Sequence, residues 1–302
     1  MSETHLTPDS RPLGKSGLQV SPIAWGMWRF ARSSPREGQA LIEAAIAAGV
    51  SLYDTADIYG FSGSGGFGDA ESLLGQILKA SPGLRAQMVL ATKGGITPPV
   101  PYDSSRAYLM QALDNSLRRM GVAQVELYQI HRPDILAHPQ EVARTLEDMV
   151  TSGKVAAIGV SNYTVAQTRA IAALLTIPLA SHQPEFSPLH LDPVENGLLD
   201  LAMEKDIAVL AWSPLGGGRL GDPQDERGKR VAAVLDIVAE EAGVSRAAAT
   251  YAWVMAHPAR AIPIVGTQNV SRIAEIAEVY KVRWTRARWY EVLVASRGER
   301  LP

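Results

Sequence analysis

Short β-rich runs alternate with longer amphipathic segments eight times along the chain. The short runs are Ile23 to Trp25, Ser51 to Asp54, Met88 to Thr92, Val125 to Ile130, Val155 to Val160, Leu179 to His182, Ala208 to Trp212 and Ile262 to Val265. Between the first two, Arg36 to Ala48 places Ala40, Leu41, Ala44, Ala45 and Ala48 on one helical face. The same periodicity predicts helices over Asp69 to Lys79, Ser105 to Met120, Pro139 to Thr151, Val165 to Leu175, Pro193 to Lys205, Glu226 to Ala242 and Val270 to Tyr280. Ser104 or Ser105 caps the third, and Gly49, Gly121, Gly153 and Gly243 follow helix ends. Such repetition demands parallel strands joined by helical crossovers.

No linker divides the chain; Phe61 to Gly68 and Gly216 to Gly228 read as long loops between periodic segments. One α/β domain over residues 1–302, closed as a (β/α)8 TIM barrel, is therefore expected, with a doubly wound open sheet as the alternative. Leu13 to Val20 is predicted to form an N-terminal β-hairpin around Lys15-Ser16-Gly17 that plugs the barrel floor, and Thr285 to Ser296 an extra C-terminal helix.

The balance of 29 Lys and Arg against 31 Asp and Glu removes any bulk attraction to nucleic acid or an anionic membrane. The absence of cysteine excludes disulfides, thiolate metal sites and a cysteine nucleophile, so redox chemistry needs a borrowed cofactor. Met1 to Pro12 is polar, and apolar runs such as Ile207 to Trp212 are far shorter than the roughly 20 residues of a membrane helix. A cytoplasmic location is expected. The histidines, at 5, 131, 138, 182, 190 and 257, show no metal-ligand spacing, and no metal is expected.

In a barrel, chemistry belongs at the C-terminal strand ends. The second run ends in Asp54-Thr55-Ala56-Asp57-Ile58-Tyr59-Gly60, the third in Thr92-Lys93-Gly94 and the fourth in His131-Arg132-Pro133-Asp134. Singly, these residues read as a cap, a packed ring, a solvated charge and a buried imidazole. Together, on three consecutive strand ends, they point to one site. The other half of the rim carries Ser161 and Asn162, Gln183, Trp212 to Arg219, and Gly266-Thr267-Gln268 followed by Arg272 and Glu275. Amide groups, a flat ring, a glycine loop and arginines suit a ligand with an amide ring, a diphosphate and an anionic end. Gly63 to Gly68 spells the dinucleotide fingerprint G-x-G-x-x-G, but its strand ends nine residues earlier, so it is not the tight strand-to-helix turn of that motif. It reads instead as a mobile loop beside the substrate opening.

These residues resemble the aldo-keto reductase superfamily. Its signatures stand here as D-T-A-D-I-Y-G at Asp54 to Gly60, T-K-G at Thr92 to Gly94, L-Y-Q-I-H-R-P-D at Leu127 to Asp134, G-K-V-A-A-I-G-V-S-N at Gly153 to Asn162 and W-S-P-L-G-G-G at Trp212 to Gly218. H-R-P-D with L-G-G-G-R-L at Leu215 to Leu220 is similar to a bacterial branch of predicted NADPH-dependent oxidoreductases. The resemblance implies reduction of aldehydes or ketones with NADPH, and Asp54, Tyr59, Lys93 and His131 as the catalytic tetrad. Tyr59 would be the general acid, its pKa drawn down by Lys93, with Asp54 holding the ammonium and His131 the carbonyl oxygen. It further implies cofactor contacts from Gly26, Met27, Ser161, Asn162, Gln183, Trp212, Ser213, Leu215, Gly216, Gly217, Gly218, Arg219, Gly266, Thr267, Arg272 and Glu275. Arg272 would pair the 2′-phosphate. Trp212 replaces the family's usual stacking Tyr, and Gly266 and Gln268 replace basic residues. The substrate, a small carbonyl compound, would meet Trp28 and Tyr102, with Trp25, Met27 and parts of Phe61 to Phe67 completing an apolar pocket. The alternative within the superfamily is an NADPH-binding regulatory or redox-sensing subunit with slow turnover. Oligomeric state is open at this point.

Overall fold

A computed structural model of the chain describes residues 3–4 and 6–302; Met1, Ser2 and His5, from the polar stretch Met1 to Pro12, lie outside the described residues. Eight parallel strands close into a barrel: β1 (Ala24–Gly26), β2 (Leu52–Asp54), β3 (Val89–Gly94), β4 (Val125–Ile130), β5 (Val155–Ser161), β6 (Leu179–Gln183), β7 (Ala208–Ala211) and β8 (Ile262–Val265). Each pairs with its sequence neighbour, and Ile264 of β8 pairs with Ala24 of β1 to close the ring. In register, Gly26 faces Asp54 and Asp54 faces Ala91, while Lys93 faces Gln129, which brings the predicted strand ends to one rim.

The crossovers are α1 (Pro35–Ala47), α2 (Asp69–Ala80), α3 (Arg106–Met120), α4 (Pro139–Thr151), α5 (Val165–Leu174), α6 (Leu198–Lys205) and then the pair α7 (Glu226–Ala242) and α8 (Arg246–Ala256). Their starts are set by side chains: Ser34 and Thr164 form capping boxes with Glu37 and Gln167, and Ser105 and Ser245 cap α3 and α8. Among the described residues, no helix is long and apolar enough to cross a membrane.

The predicted hairpin forms, Arg11–Pro12 pairing with Gln19–Val20, and it closes the barrel floor. Leu13 and Val20 are fully buried there with Leu52, Leu127, Leu210 and Ile262. The C-terminal helix also forms, as α10 (Arg286–Arg297) after a short α9 (Val270–Ala274). Trp289 of α10 stacks on Trp253 of α8 at 4.6 Å, and each indole N–H donates to the other's backbone carbonyl. Such a pair contributes roughly 0.5–1.5 kcal/mol beyond the area it buries.

Four local expectations change. The predicted helix Pro193 to Lys205 is broken at Gly197, whose left-handed backbone, φ 82°, separates a single turn over Asp192–Glu195 from α6. The predicted helix Val270 to Tyr280 tightens after Ala274 into a 3₁₀ turn over Glu275–Lys281. The β7-to-β8 crossover holds two helices, because Gly243 ends α7 in a left-handed conformation and Ser245 caps α8 at once. After β3, Ile96–Thr97 pairs with Val100–Tyr102 in a small hairpin whose ladders are too short for alternation to reveal.

Gly75, in the middle of α2, marks where that helix meets α3. A Cβ there would lie 2.1 Å from the Arg119 carbonyl oxygen and 3.0 Å from Met120 Cα. Gly75→Ala gains helix propensity of about 1 kcal/mol but forces two helices apart, a cost of roughly 1–3 kcal/mol that leaves the protein less stable. Denaturant titration is expected to show a lower midpoint; a raised midpoint would contradict this packing.

Candidate active site

At the barrel rim, Lys93 on β3 has no exposure to solvent. Its Nζ donates to both oxygens of Asp54, at 2.8 and 2.7 Å, and to the Thr55 carbonyl at 2.7 Å. Asp54, at the end of β2, also accepts from Gln183 Nε2 at 2.9 Å, so β6 braces the pair across the barrel. Tyr59 follows in the loop, with Lys93 Nζ 5.0 Å from its ring centre. His131, one residue past β4, meets the Tyr59 ring edge-on at 5.8 Å. Trp28 stacks on the Tyr59 ring, 6.3 Å between centres and 19° from parallel, and is 68% exposed at the mouth.

The electrostatics follow from burial and neighbours. Burial would discharge Lys93, but Asp54 and Tyr59 hold its pKa above the usual value. Burial pushes the Tyr59 hydroxyl up as well, and Lys93 opposes this without reversing it. The expectation that Lys93 draws Tyr59 down is thus only half met: its pull is present and desolvation exceeds it. Burial, then Lys93 and Arg132, hold His131 well below the usual histidine range, so its ring is neutral at ordinary pH. Asp57, with both carboxyl oxygens buried and unpartnered among the described residues, is pushed well up by burial and by Glu71. That favours its neutral acid form, while Lys93 is held by Asp54. Glu71 is itself engaged, by Thr92 Oγ1 at 2.6 Å and Arg119 Nη2 at 2.6 Å.

The second half of the rim is equally ordered. Asn162 holds a left-handed conformation, φ 60°. Its Nδ2 donates to the His131 carbonyl at 3.1 Å, and its Oδ1 accepts from Trp212 Nε1 at 3.0 Å. Ser161 Oγ donates to the Gln183 carbonyl at 2.8 Å. Ser213 and Gly216, Gly217 and Gly218 all have positive φ, and Arg219 Nε donates back to the Gly216 carbonyl at 3.1 Å. Built Cβ atoms at Gly217 and Gly218 would meet nothing within 4 Å, so this turn presents bare backbone to open space.

Beside the turn lies a cavity of about 550 Å³ lined by Leu215, Gly218, Thr267, Arg272 and Glu275, with Tyr251 at its wall. Ser245 and Arg246 line it too, and sequence reasoning missed them; the Gly243-x-Ser245 stop and restart was the available signal. At the end of β1, the Gly26 carbonyl accepts from Gln268 Nε2 at 3.3 Å and the Met27 N–H donates to the Asp54 carbonyl at 2.9 Å. The Gly266-Thr267 segment is tied to β1 by Trp25 Nε1, which donates to the Thr267 carbonyl at 3.0 Å.

Of the residues expected to line the apolar pocket, Trp25 and Met27 are fully buried in the core, Trp25 against Phe30 and Tyr53, while Tyr102 stands exposed on the small hairpin. The Phe61–Gly68 loop folds back on itself: a Cβ on Gly60 or Gly66 would collide with the other's carbonyl. Among the described residues no three His, Asp or Glu side chains are grouped to hold a metal ion.

The profile of the aldo/keto reductase family matches residues 22–292. The chain belongs to this family. A 6-dehydroglucose reductase of Novosphingobium aromaticivorans is 59% identical over the full length of both chains. A 6-dehydroglucose reductase of Agrobacterium fabrum is 38% identical over 93% of this chain and 96% of its own. A thermostable aldo-keto reductase crystallised with the inhibitor epalrestat shares the fold, with a TM-score of 0.83 at 22% identity, over 95% of this chain and 99% of its own. The protein is an aldo-keto reductase-type oxidoreductase on a TIM barrel.

Proposed function

We propose that this aldo-keto reductase uses NADPH to reduce an uncharged sugar aldehyde of the 6-dehydroglucose type to the primary alcohol. The observation that carries the reading is the buried Lys93–Asp54 pair beside Tyr59 and a neutral His131. The full-length similarity to a 6-dehydroglucose reductase supports the substrate class. When bound, the reduced nicotinamide supplies a hydride to the carbonyl carbon. The chain's own residues manage the charge that develops on oxygen. Tyr59 gives that oxygen its proton, and the Lys93 ammonium steadies the phenolate left behind. Asp54 keeps Lys93 charged, and neutral His131 holds the carbonyl oxygen without adding a competing charge. In sum, aldehyde, NADPH and a proton become alcohol and NADP+.

The bare turn Gly216–Gly218 fits a diphosphate, and the cavity holding Thr267, Arg272 and Glu275 fits an adenosine end. Ser161, Asn162 and Gln183 would hold the carboxamide, and Trp212 would lie against the nicotinamide. Of the two arginines at that cavity Arg246 is paired with Asp236, and the exposed Arg272 would take the 2′-phosphate. Arg272→Ala is expected to weaken NADPH binding at least tenfold, as read by protein fluorescence, and to leave NADH binding nearly unchanged. Equal losses for both cofactors would remove the assignment. The proposal as a whole is tested by NADPH oxidation with 6-dehydroglucose and a panel of simple aldehydes. Turnover that favours the sugar supports it; tight NADPH binding with no turnover on any aldehyde would favour a regulatory subunit.

A further inference from the structure

A second cavity, of about 600 Å³, adjoins the candidate active site and shares Asn162 and Trp212 with it. Arg132, which follows His131 in the chain, lines it, with its guanidinium 5.8 Å from the Trp212 ring centre. Glu185 lies alongside Trp212 in a parallel bridge past the ends of β6 and β7. The Trp212 N–H donates to the Pro184 carbonyl at 3.0 Å and the Phe186 N–H to the Trp212 carbonyl at 3.3 Å. Acid and indole are therefore carried on adjacent backbone held by main-chain bonds.

His190 is turned back toward Glu185 by reciprocal backbone bonds with Ser187, at 3.3 and 3.0 Å. Its ring nitrogens stand 3.7 Å from Glu185 and 3.7 Å from Asp192, too long for hydrogen bonds. Their donors and acceptors are left free for a ligand. His182, 1% exposed, lines the same cavity; Nε2 engages the Tyr163 carbonyl while Nδ1 has no partner among the described residues. Burial pushes its pKa down to about 4, so this ring is a neutral hydrogen-bonding group.

This combination discriminates among ligand classes. An apolar aldehyde would leave the polar walls unpaired, and a phosphorylated one would face two acidic side chains, Glu185 and Asp192, against the single guanidinium of Arg132. Hydroxyl groups can donate to carboxylates, accept from imidazole and guanidinium, and lay C–H bonds on an indole face.

We infer that this cavity is a polyol subsite that holds the hydroxyl-bearing part of an uncharged sugar aldehyde while its carbonyl lies at Tyr59 and His131, with Glu185 and His190 selecting it. The inference deepens the sugar-aldehyde reading above and rests on it.

Glu185→Ala and His190→Ala test it, with 6-dehydroglucose, butanal and glyceraldehyde 3-phosphate as substrates. In each variant, the ratio of kcat/KM for 6-dehydroglucose to that for butanal is expected to fall at least tenfold. In Glu185→Ala the phosphorylated aldehyde should gain relative to butanal. Ratios within twofold of wild type in both variants would overturn the subsite while leaving the function standing. Calorimetric titration of glucose, the reduction product, onto the protein loaded with NADP+ separates the remaining cases. If 6-dehydroglucose is not reduced but glucose binds and either variant weakens it tenfold, the function falls and the subsite stands. If glucose neither binds nor competes, both fall.

Discussion

Lys93→Met is expected to abolish reduction and to lower stability by roughly 3–5 kcal/mol, the loss typical when one partner of a buried ion pair is removed. Lys93 is fully buried, and both Asp54 oxygens accept from its Nζ. Without the ammonium, Asp54 remains 2% exposed with Gln183 as its hydrogen-bonding side chain. The deficit comes from leaving a buried carboxyl group without the cation that both of its oxygens accept from. Adding Asp54→Asn should restore much of the stability and none of the activity. Denaturant titrations of the single and double variants at neutral pH check this. A Lys93→Met protein as stable as wild type at neutral pH would show that the pair carries no such charge.

The second large effect is at Tyr59. Tyr59→Phe keeps the ring on Trp28 and beside His131 but removes the proposed proton donor, and kcat should fall by roughly 10²–10⁴. NADPH affinity should change little, because the residues suited to the diphosphate and adenosine lie at the glycine turn and its cavity. The pH profile gives an independent reading. With the Tyr59 pKa above 10.0, the hydroxyl stays protonated through neutrality, and reduction should decline only on the alkaline side of that value. With His131 held well below 6.5, no decline from its protonation is expected near neutral pH. Single-turnover measurements across pH, with fluorescence for binding, test both points. A variant that retains rates within tenfold of wild type would assign the proton to another group.

The barrel was legible because its signals are repetitive: period-two runs and period-3.6 faces alternate, and capping residues stand at their boundaries. β3 nevertheless runs two residues past its predicted end, to Gly94, because ladder bonds to β4 continue where the side-chain pattern turns polar. That extension places Lys93 inside a strand with its chain directed into the barrel pair with Asp54. The composition of the site was legible at the strand ends, but its wiring was not. Nothing local in the chain reveals that Gln183 braces Asp54 from 129 residues away, or that Trp212 is held by Asn162. Nor does sequence show the balance at Tyr59, where burial outweighs the charge of Lys93. Trp25 illustrates the opposite error: an aromatic near the first strand end reads as pocket lining, yet pairing of β1 with β2 and β8 turns it into the core.

The most direct test of the central claim is the product of the reaction. Purified protein, NADPH and 6-dehydroglucose should yield glucose and NADP+ in equal amounts, at a rate that Tyr59→Phe lowers at least a hundredfold. NADPH that binds but is never consumed, or consumption at the same rate by wild type and Tyr59→Phe, would contradict it.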